Sequence, residues 1–308
     1  MILTLTFNPA VDQTAWIDRL VPGTVHRVTE SQLDPAGKGI NVSRMAHRLG
    51  ASTVAFGFVA GDTGRLIERA LDGEKVQHHF VRIPGQSRID TTVVEASGTA
   101  SSFYGVGPPV LHESIDALSA LVRAWVPVAR VLVLAGSLLP GIPENAYAAY
   151  VRAAREKGVF VILDSHGGPL RLGLEAGPDL IKPNLGEAEG LLGRKLSDLA
   201  AVEAAARELA GRAGTAIISM GSRGAICARE RRAWRILPPR VKQTSSVGSG
   251  DAMLAGIAVA LSRDQELPAA LRLGAAAGAA TAESRGTALA TADHVERLLG
   301  AVQIEELG

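Results

Sequence analysis

The sequence contains a single cysteine, few aromatic residues and almost no excess of either charge. Cys227 cannot form a disulfide within the chain or supply a cysteine metal cluster, so we expect a core residue in a reducing, cytoplasmic protein. The 32 Lys and Arg residues are balanced by 31 Asp and Glu residues. The net charge of +1 therefore offers no overall attraction to nucleic acid or to an anionic membrane surface, and any basic site must be local.

Long apolar runs are also lacking. The opening Met-Ile-Leu-Thr-Leu-Thr predicts a strand and lacks the basic segment and cleavage site of an export signal. The longest apolar stretch, at 275–282, is too short to span a bilayer. With 308 residues, the chain is long enough for one α/β domain with a full core.

Short apolar runs alternate with helical patterns along most of the chain. Beyond the opening strand, strands are predicted at 53–58, 79–83, 131–134, 159–163, 180–181 and 216–219. Helices are predicted at 65–71, 115–125, 144–156, 187–192, 200–209, 267–282 and 292–299. This alternation predicts a mainly parallel sheet covered by helices on both faces, with ligands at the carboxyl ends of its strands.

Two stretches, at 14–32 and 88–104, interrupt the alternation with strand-like patterns. No linker rich in Pro, Gly or Ser divides the chain, and no repeat is visible. We therefore expect a single domain over 1–308, with lid segments at about 12–34 and 86–106 that form a small projecting sheet.

A glycine-rich stretch precedes the last helical third of the chain. Gly248 and Gly250 stand just before Asp251, which opens an apolar helical pattern. Backbone N–H groups at a helix N-terminus attract an anion, and glycine lets it approach closely. A carboxylate beside a bound phosphate could accept a proton from an attacking hydroxyl. Because Asp and Gly are also common at ordinary helix starts, this stretch alone leaves both interpretations open.

A second glycine pair, Gly37 and Gly39, flanks Lys38 at the start of a predicted helix. It is not a Walker A loop, because Gln32 stands where the first glycine of that motif would be and no Ser or Thr follows Lys38. The first βα turn also lacks Gly-x-Gly-x-x-Gly, which disfavours a dinucleotide-dependent oxidoreductase.

Several stretches, in matching order, resemble the motifs of the ribokinase-like (PfkB) carbohydrate kinases. Gly248-Ser249-Gly250-Asp251 resembles the family's Gly-Ala-Gly-Asp signature, with Ser249 where Ala is usual. The other matching stretches are Asn8-Pro9-Ala10 with Asp12, Gly37 to Val42, Arg88-Ile89, Ala135 to Gly141, Leu163-Asp164-Ser165, Lys182-Pro183-Asn184 with Glu187, and Ser219-Met220-Gly221 with Gly224-Ala225. The resemblance implies a ribokinase-like three-layer α/β/α domain with a small β-sheet lid, acting with ATP and Mg²⁺. The phosphosugar branch resembles it most, which implies a ketohexose phosphate acceptor: fructose 1-phosphate, tagatose 6-phosphate or fructose 6-phosphate.

The resemblance also implies roles for individual residues. Asp251 would be the base, with Gly248, Ser249 and Gly250 offering amides to the transferred phosphoryl group. The acceptor sugar and its phosphate would be bound by Asp12, Gly37, Lys38, Gly39, Asn41, Arg88, Ser137 and Arg27. The nucleotide would be bound by Lys182, Asn184, Ser219, Gly221, Gly224, Ser246, Val247, Gly248 and Gly250. Glu187, Asn184 and Asp164 would lie near Mg²⁺, partly through water.

Some features leave alternatives open. Asn184 followed by Glu187 is also an ordinary helix cap. A helix N-terminus should lower the pKa of Asp251, which would weaken it as a base. Asp90 stands where the phosphosugar branch usually has Asn.

Other functions remain conceivable on the sequence. These are a kinase of an unphosphorylated sugar or nucleoside, and a non-catalytic sugar-phosphate sensor. A homodimer through the lid sheet is implied by the family, and neither a nucleic acid nor a membrane is an expected partner.

Overall fold

The computed structural model describes residues 1–245 and 247–308, which form two β-sheets with helices packed around the larger one. The strands are β1 Ile2–Thr6, β2 Ala10–Ile17, β3 Glu30–Ala36, β4 Thr53–Ala60, β5 Gln77–Ile83, β6 Arg88–Glu95, β7 Ala100–Phe103, β8 Val131–Ala135, β9 Phe160–Asp164, β10 Leu180–Ile181, β11 Thr215–Ser219, β12 Ala225–Arg229, β13 Arg232–Leu237 and β14 Gln303–Leu307. The helices are α1 Lys38–Arg48, α2 Gly61–Gly73, α3 His112–Trp125, α4 Ala146–Arg155, α5 Gly167–Leu174, α6 Leu185–Leu192, α7 Leu199–Ala213, α8 Ser249–Ser262, α9 Leu267–Glu283 and α10 Ala292–Leu299.

The larger sheet has the strand order β14-β13-β12-β11-β10-β9-β8-β1-β4-β5. The seven strands from β11 to β5 run parallel, while β12, β13 and β14 add an antiparallel edge. The predicted mainly parallel sheet is confirmed. The sequence reading missed the three edge strands, because a tight hairpin and a short terminal strand give no helix-and-strand alternation.

Helices cover both faces of this sheet because alternate strand residues point to opposite sides. Leu3 belongs to a core cluster that includes Leu118 of α3, whereas its neighbour Ile2 belongs to another that includes Leu254 of α8. The two larger hydrophobic clusters therefore lie between the sheet and the helices on its two faces, which gives three layers. This arrangement confirms the predicted α/β/α fold.

The smaller sheet has the order β3-β2-β6-β7. Strands β2 and β6 are parallel, and the two outer pairs are antiparallel. It is built from the two stretches in which the sequence shows strand patterns without helices. We call it the lid sheet.

Across both described ranges, no helix combines the length and the apolar character needed to cross a bilayer. Cys227 lies in β12 as a buried free thiol, as expected for a core residue.

Candidate active site

The N-terminus of α8 faces the carboxyl ends of the parallel strands. Its N-cap, Gly248, has φ 75° and offers no side-chain hydrogen bond to the first turn. This left-handed conformation favours glycine, and a glycine at the N-cap has no side chain with which to cap the first amides of the helix. The helix begins at Ser249, so Asp251 lies inside the first turn rather than opening the helix. Ser246, which was expected to bind the nucleotide, lies outside the described residues.

Asp251 is almost fully buried, with an exposed fraction of 9%. Asn41 Nδ2 donates a hydrogen bond of 2.9 Å to its Oδ2 atom. Burial raises the pKa of Asp251 to about 6, although the nearby Lys38 ammonium opposes this rise. The pKa of Asp251 is thus raised rather than lowered, with burial as the largest cause.

Two lysines flank a second buried acid beside Asp251. Lys38 Nζ lies 2.9 Å from Asp164 Oδ1, and Lys182 Nζ lies 3.3 Å from Asp164 Oδ2. Burial alone would raise the pKa of Asp164, but the two ammonium groups outweigh it and hold the pKa below its usual value. A Cβ atom built on Gly250 would lie 3.4 Å from Lys182 Nζ, so this positive charge adjoins the helix amides.

Asn184 and Glu187 form a capping box at the start of α6. Glu187 N–H donates to Asn184 Oδ1 at 2.9 Å, and Asn184 N–H donates to Glu187 Oε2 at 2.8 Å. The remaining oxygen, Glu187 Oε1, lies 3.8 Å from Lys38 Nζ. Asn184 and Glu187 thus form an ordinary helix cap and are also the candidate metal-ligand pair. The capping box uses only Oε2 of Glu187, so Oε1 takes no part in it.

The arrangement of Lys38 and its neighbouring carboxylates affects where Mg²⁺ would bind. Within residues 1–245 and 247–308, no three His, Cys, Asp or Glu side chains are grouped as a metal site. Lys38 lies between the carboxylates of Asp164 and Glu187. This donor set fits an ion held mainly by substrate phosphates and water, with Glu187 and Asp164 as outer partners. A cavity of about 500 Å³, lined in part by Asn184 and Glu187, opens beside them.

The candidate nucleotide residues surround the ends of β10 and β11. Asn184 forms an isolated bridge with Ser219, and the Ser219 amide donates to Pro183 O at 3.0 Å. Gly221 is exposed, and no described atom lies within 4 Å of a Cβ built on it. Gly224 is different, because at φ 91° a Cβ there would collide with Ile236 O of the hairpin.

Gly37 and Gly39, which were expected to bind the acceptor sugar, pack closely against the end of β1 and the segment after it. A Cβ built on Gly37 would lie 3.0 Å from Thr6 Cγ2 and 3.1 Å from Pro9 Cα, and one on Gly39 would strike the Thr6 side chain. The two glycines therefore let α1 begin directly against the end of β1. Their main effect is to place Lys38 and Asn41 next to Asp251.

Three carboxylates line up across the lid sheet. Asp12 in β2 pairs in register with Asp34 in β3 and with Asp90 in β6. Burial raises the pKa of Asp12 to about 7, and the charges of Asp90 and Asp251 raise it further against the pull of Arg88. Like charges opposite one another destabilise a sheet. The row therefore costs stability, and pairing within the sheet does not explain it.

Arg88 lies at the end of this row. Its Nη1 atom contacts both carboxylate oxygens of Asp90, and its Nη2 atom donates to Asn8 O at 3.4 Å. Asn8 Nδ2 in turn donates to Ser137 Oγ at 3.1 Å. Arg27, by contrast, is exposed on the loop between β2 and β3.

The sequence reading missed several contacts that fasten the lid sheet to the loop after α9. Thr287 Oγ1 donates to Asp34 Oδ2 at 2.7 Å, and Arg285 forms an ion pair of 2.7 Å with Glu30. The Arg285 guanidinium also lies over the Trp16 ring, 4.2 Å from its centroid. Asn8 was recognisable within its motif, but nothing in the sequence relates Asp34 to a partner 253 positions away.

Comparison with known proteins places the chain in a family. The sequence profile of the pfkB family carbohydrate kinases matches residues 5–293. The chain belongs to this family, and it is therefore a phosphotransferase that uses an alcohol group as acceptor.

Individual relatives match over almost their full length. The chain is 36% identical to a 1-phosphofructokinase of Xanthomonas campestris, over 98% of this chain and 97% of that protein. It is 32% identical to a tagatose-6-phosphate kinase of Staphylococcus epidermidis, over 100% of both chains. Phosphofructokinase-2 from Escherichia coli, solved in complex with substrates and products, superimposes with a TM-score of 0.91 at 31% identity, covering 97% of this chain and 98% of that one. These matches confirm the predicted family and the ribokinase-like fold.

Proposed function

We propose that this protein phosphorylates a ketohexose phosphate with ATP and yields the bisphosphate. The acceptor is fructose 1-phosphate, tagatose 6-phosphate or fructose 6-phosphate, sugars of the kind named for its relatives. One observation carries the proposal. A buried carboxylate with a raised pKa, Asp251, is held by Asn41 at a helix N-terminus whose cap is a glycine, beside two lysines.

In this reaction, the acceptor hydroxyl lies beside Asp251 and its oxygen attacks the γ-phosphorus of ATP. The bond between the γ-phosphorus and the bridging oxygen breaks, ADP leaves, and the hydroxyl proton passes to the Asp251 carboxylate. A carboxylate with a pKa near 6 is ionised at neutral pH and is a better proton acceptor than an ordinary Asp. Burial thus provides basicity without removing the charge.

The surrounding groups stabilise the charge that develops on the transferred phosphoryl group. The amides of Gly248, Ser249 and Gly250 point from the start of α8, and Lys182 adjoins Gly250. Val247, Ser219, Gly221 and Gly224 would border the nucleotide. Mg²⁺ would neutralise phosphate charge, with Glu187, Asp164 and Asn184 as its protein-side partners.

Lys38, which was expected to bind the acceptor sugar, would also act in phosphoryl transfer. Its ammonium bridges toward Asp164 and Glu187 rather than toward Arg88. Burial would lower the pKa of Lys38, but Asp164 and Asp251 raise it above its usual value, which keeps the charge in place. We assign it to the phosphoryl-transfer side of the site.

The lid segments at about 12–34 and 86–106 provide the other wall. Asp12 and Asn41 would hydrogen-bond sugar hydroxyls, while Arg88, positioned through Asn8 and Ser137, would bind the sugar's phosphate. Exposed Arg27 would assist only if the loop that carries it folded over the site.

The lid sheet also suggests an assembly. Exposed apolar side chains lie on the lid strands and the segments beside them: Val21, Val25, Val28, Leu33, Ile89, Phe103, Tyr104 and Val106. An apolar surface of this kind favours burial against a second copy of the chain, so we propose a homodimer through the lid sheet. The single buried thiol accords with a cytoplasmic location.

The proposal is tested by ADP release from Asp251→Asn. Wild type is first screened with fructose 1-phosphate, fructose 6-phosphate, tagatose 6-phosphate, fructose, ribose and adenosine. With the best acceptor, the variant should lose kcat by roughly a hundred- to ten-thousand-fold. An unchanged melting temperature would show that the fold is retained. Asp116→Asn, on exposed α3, is the matched control and should keep wild-type kcat. Sustained turnover in Asp251→Asn would refute the assignment.

A further inference from the structure

Arg88, to which the proposed function gives the acceptor's phosphate, is already bound to a carboxylate. Its Nη1 atom lies 2.9 Å from Asp90 Oδ1 and 2.7 Å from Asp90 Oδ2. Asp90 is 6% exposed and also accepts the Gly105 N–H at 2.9 Å. The pair is thus fixed in the lid sheet rather than formed by two mobile surface side chains.

One edge of the guanidinium lacks a close hydrogen-bond partner among the described residues. The Arg88 Nε atom is buried and has no hydrogen-bond partner among the described residues. The neighbouring Nη2 atom makes only a long contact of 3.4 Å to Asn8 O. An unpaired buried donor is costly, and the Nε and Nη2 pair matches two oxygens of a phosphate.

The electrostatic setting of that edge is unusual for a phosphate site. Asp90 offsets the charge of Arg88 at close range, and Asp12 and Asp34 continue the same row of carboxylates across the sheet. Asp34 is engaged by Gln32 and Thr287, and both of these partners are neutral. A dianionic phosphate on Arg88 would therefore meet a pocket whose local charge is not positive.

We propose that Asp90 is a specificity-determining residue that limits how tightly the lid binds the phosphate of the acceptor. It occupies Nη1 of Arg88, leaves only the Nε and Nη2 edge, and repels the phosphate at short distance. Uncharged sugars do not feel this repulsion. Asp90 thereby reduces the difference in affinity between phosphorylated and unphosphorylated acceptors. This inference rests on the proposed function, because it presupposes that the acceptor's phosphate binds Arg88.

Asp90→Asn is the test. An amide oxygen can still accept from Gly105 N–H and from Arg88, while the negative charge is gone. KM and kcat are measured at saturating ATP for fructose 1-phosphate and for fructose, in wild type and variant. We expect KM for fructose 1-phosphate to fall about tenfold, with kcat within about twofold and KM for fructose unchanged. Asp18→Asn removes a charge from an exposed position just after β2 and should change neither KM.

A change of KM in the opposite direction would also be informative. A higher KM for fructose 1-phosphate in Asp90→Asn would mean that Asp90 mainly holds Arg88 in place, and it would overturn the proposal. Equal shifts for both sugars would overturn it too. If Asp90→Asn folds poorly, the same measurements are made on Asp90→Ser, which also removes the negative charge.

Calorimetric titration of fructose 1-phosphate without ATP separates this inference from the proposed function. Tighter binding by Asp90→Asn supports the inference even if turnover is absent. Turnover of phosphosugars by wild type supports the proposed function whatever Asp90 does.

Discussion

Asp251 is surrounded by charges of both signs, and their balance sets the pH range in which it can accept a proton. Burial is the strongest influence and raises its pKa to about 6, while Lys38, Lys182 and the hydrogen bond from Asn41 hold the value down. Asp164 lies in the same network, but two lysines lower its pKa despite its burial. Two buried acids within one site thus differ in proton affinity because their neighbours differ.

This balance predicts the pH dependence of the reaction. Asp251 acts as a base only when ionised, so kcat should fall as pH is lowered through about 6, approaching a tenfold loss per pH unit. The measurement is kcat between pH 5 and 8 with both substrates saturating. The residual rate of Asp251→Asn should lack this acidic limb. A wild-type kcat that stays constant down to pH 5 would show that proton transfer to Asp251 does not contribute to the rate.

At this scale, the sequence identified the residues that lie in recognisable motifs, including Asp251, Asn41, Lys38 and Asp164. It could not supply their pKa values, because these depend on burial and on neighbouring charges that only the folded chain brings together. Lys38 was assigned to the acceptor sugar from its motif, and the motif alone could not predict its contacts with Asp164 and Glu187.

Helices α8 and α9 cross at two glycines, and the start of the active-site helix depends on that crossing. A Cβ built on Gly256 would lie 2.8 Å from Gly274 Cα and 2.8 Å from Leu273 O. Behind the first turn, a Cβ on Gly278 would lie 3.0 Å from Ser249 O. The small residues of these helices therefore let α9 press directly against the backbone of α8.

We predict that Gly256→Ala destabilises the protein by about 1–3 kcal/mol, because the added methyl must push two helix backbones apart. Urea unfolding of the variant measures this loss. Gly211→Ala in α7 is the matched control, since no described atom lies within 4 Å of a Cβ there. Its gain in helix propensity should raise stability by up to about 1 kcal/mol. Equal stabilities of the two variants would contradict the close crossing.

Element types followed from hydrophobic periodicity, and the strands β4, β8, β9 and β11 were predicted close to their observed bounds. The hairpin of β12 and β13 and the strand β14 were not predicted. These segments are strands because they pair with neighbouring strands. Such pairing cannot be deduced from their own sequences.

The proposed dimer depends on the exposed apolar side chains of the lid sheet. Phe103 in β7 is 58% exposed, and Val128, outside the lid sheet, is 59% exposed. We predict that Phe103→Glu shifts the protein from dimer to monomer in sedimentation velocity, because a charge in an apolar interface lacks hydration. Val128→Glu, with nearly the same exposure, should leave the dimer intact. Wild type that sediments as a monomer at micromolar concentration would refute the dimer.

For the molecule as a whole, the sequence predicted a three-layer domain and a projecting second sheet. The order of the strands could not be predicted from the sequence, because β1 lies between β4 and β8 only through contacts between residues distant in sequence. The loop after α9 that fastens the lid was missed for the same reason.

That fastening orders events during synthesis. The partners of Glu30 and Asp34 are Arg285 and Thr287, which leave the ribosome some 255 and 253 residues later. The first lid strands are therefore translated long before the residues that anchor them exist. Helices α1 and α2 can pack against these strands early, but the contacts with the loop after α9 can form only when the last helix is nearly made.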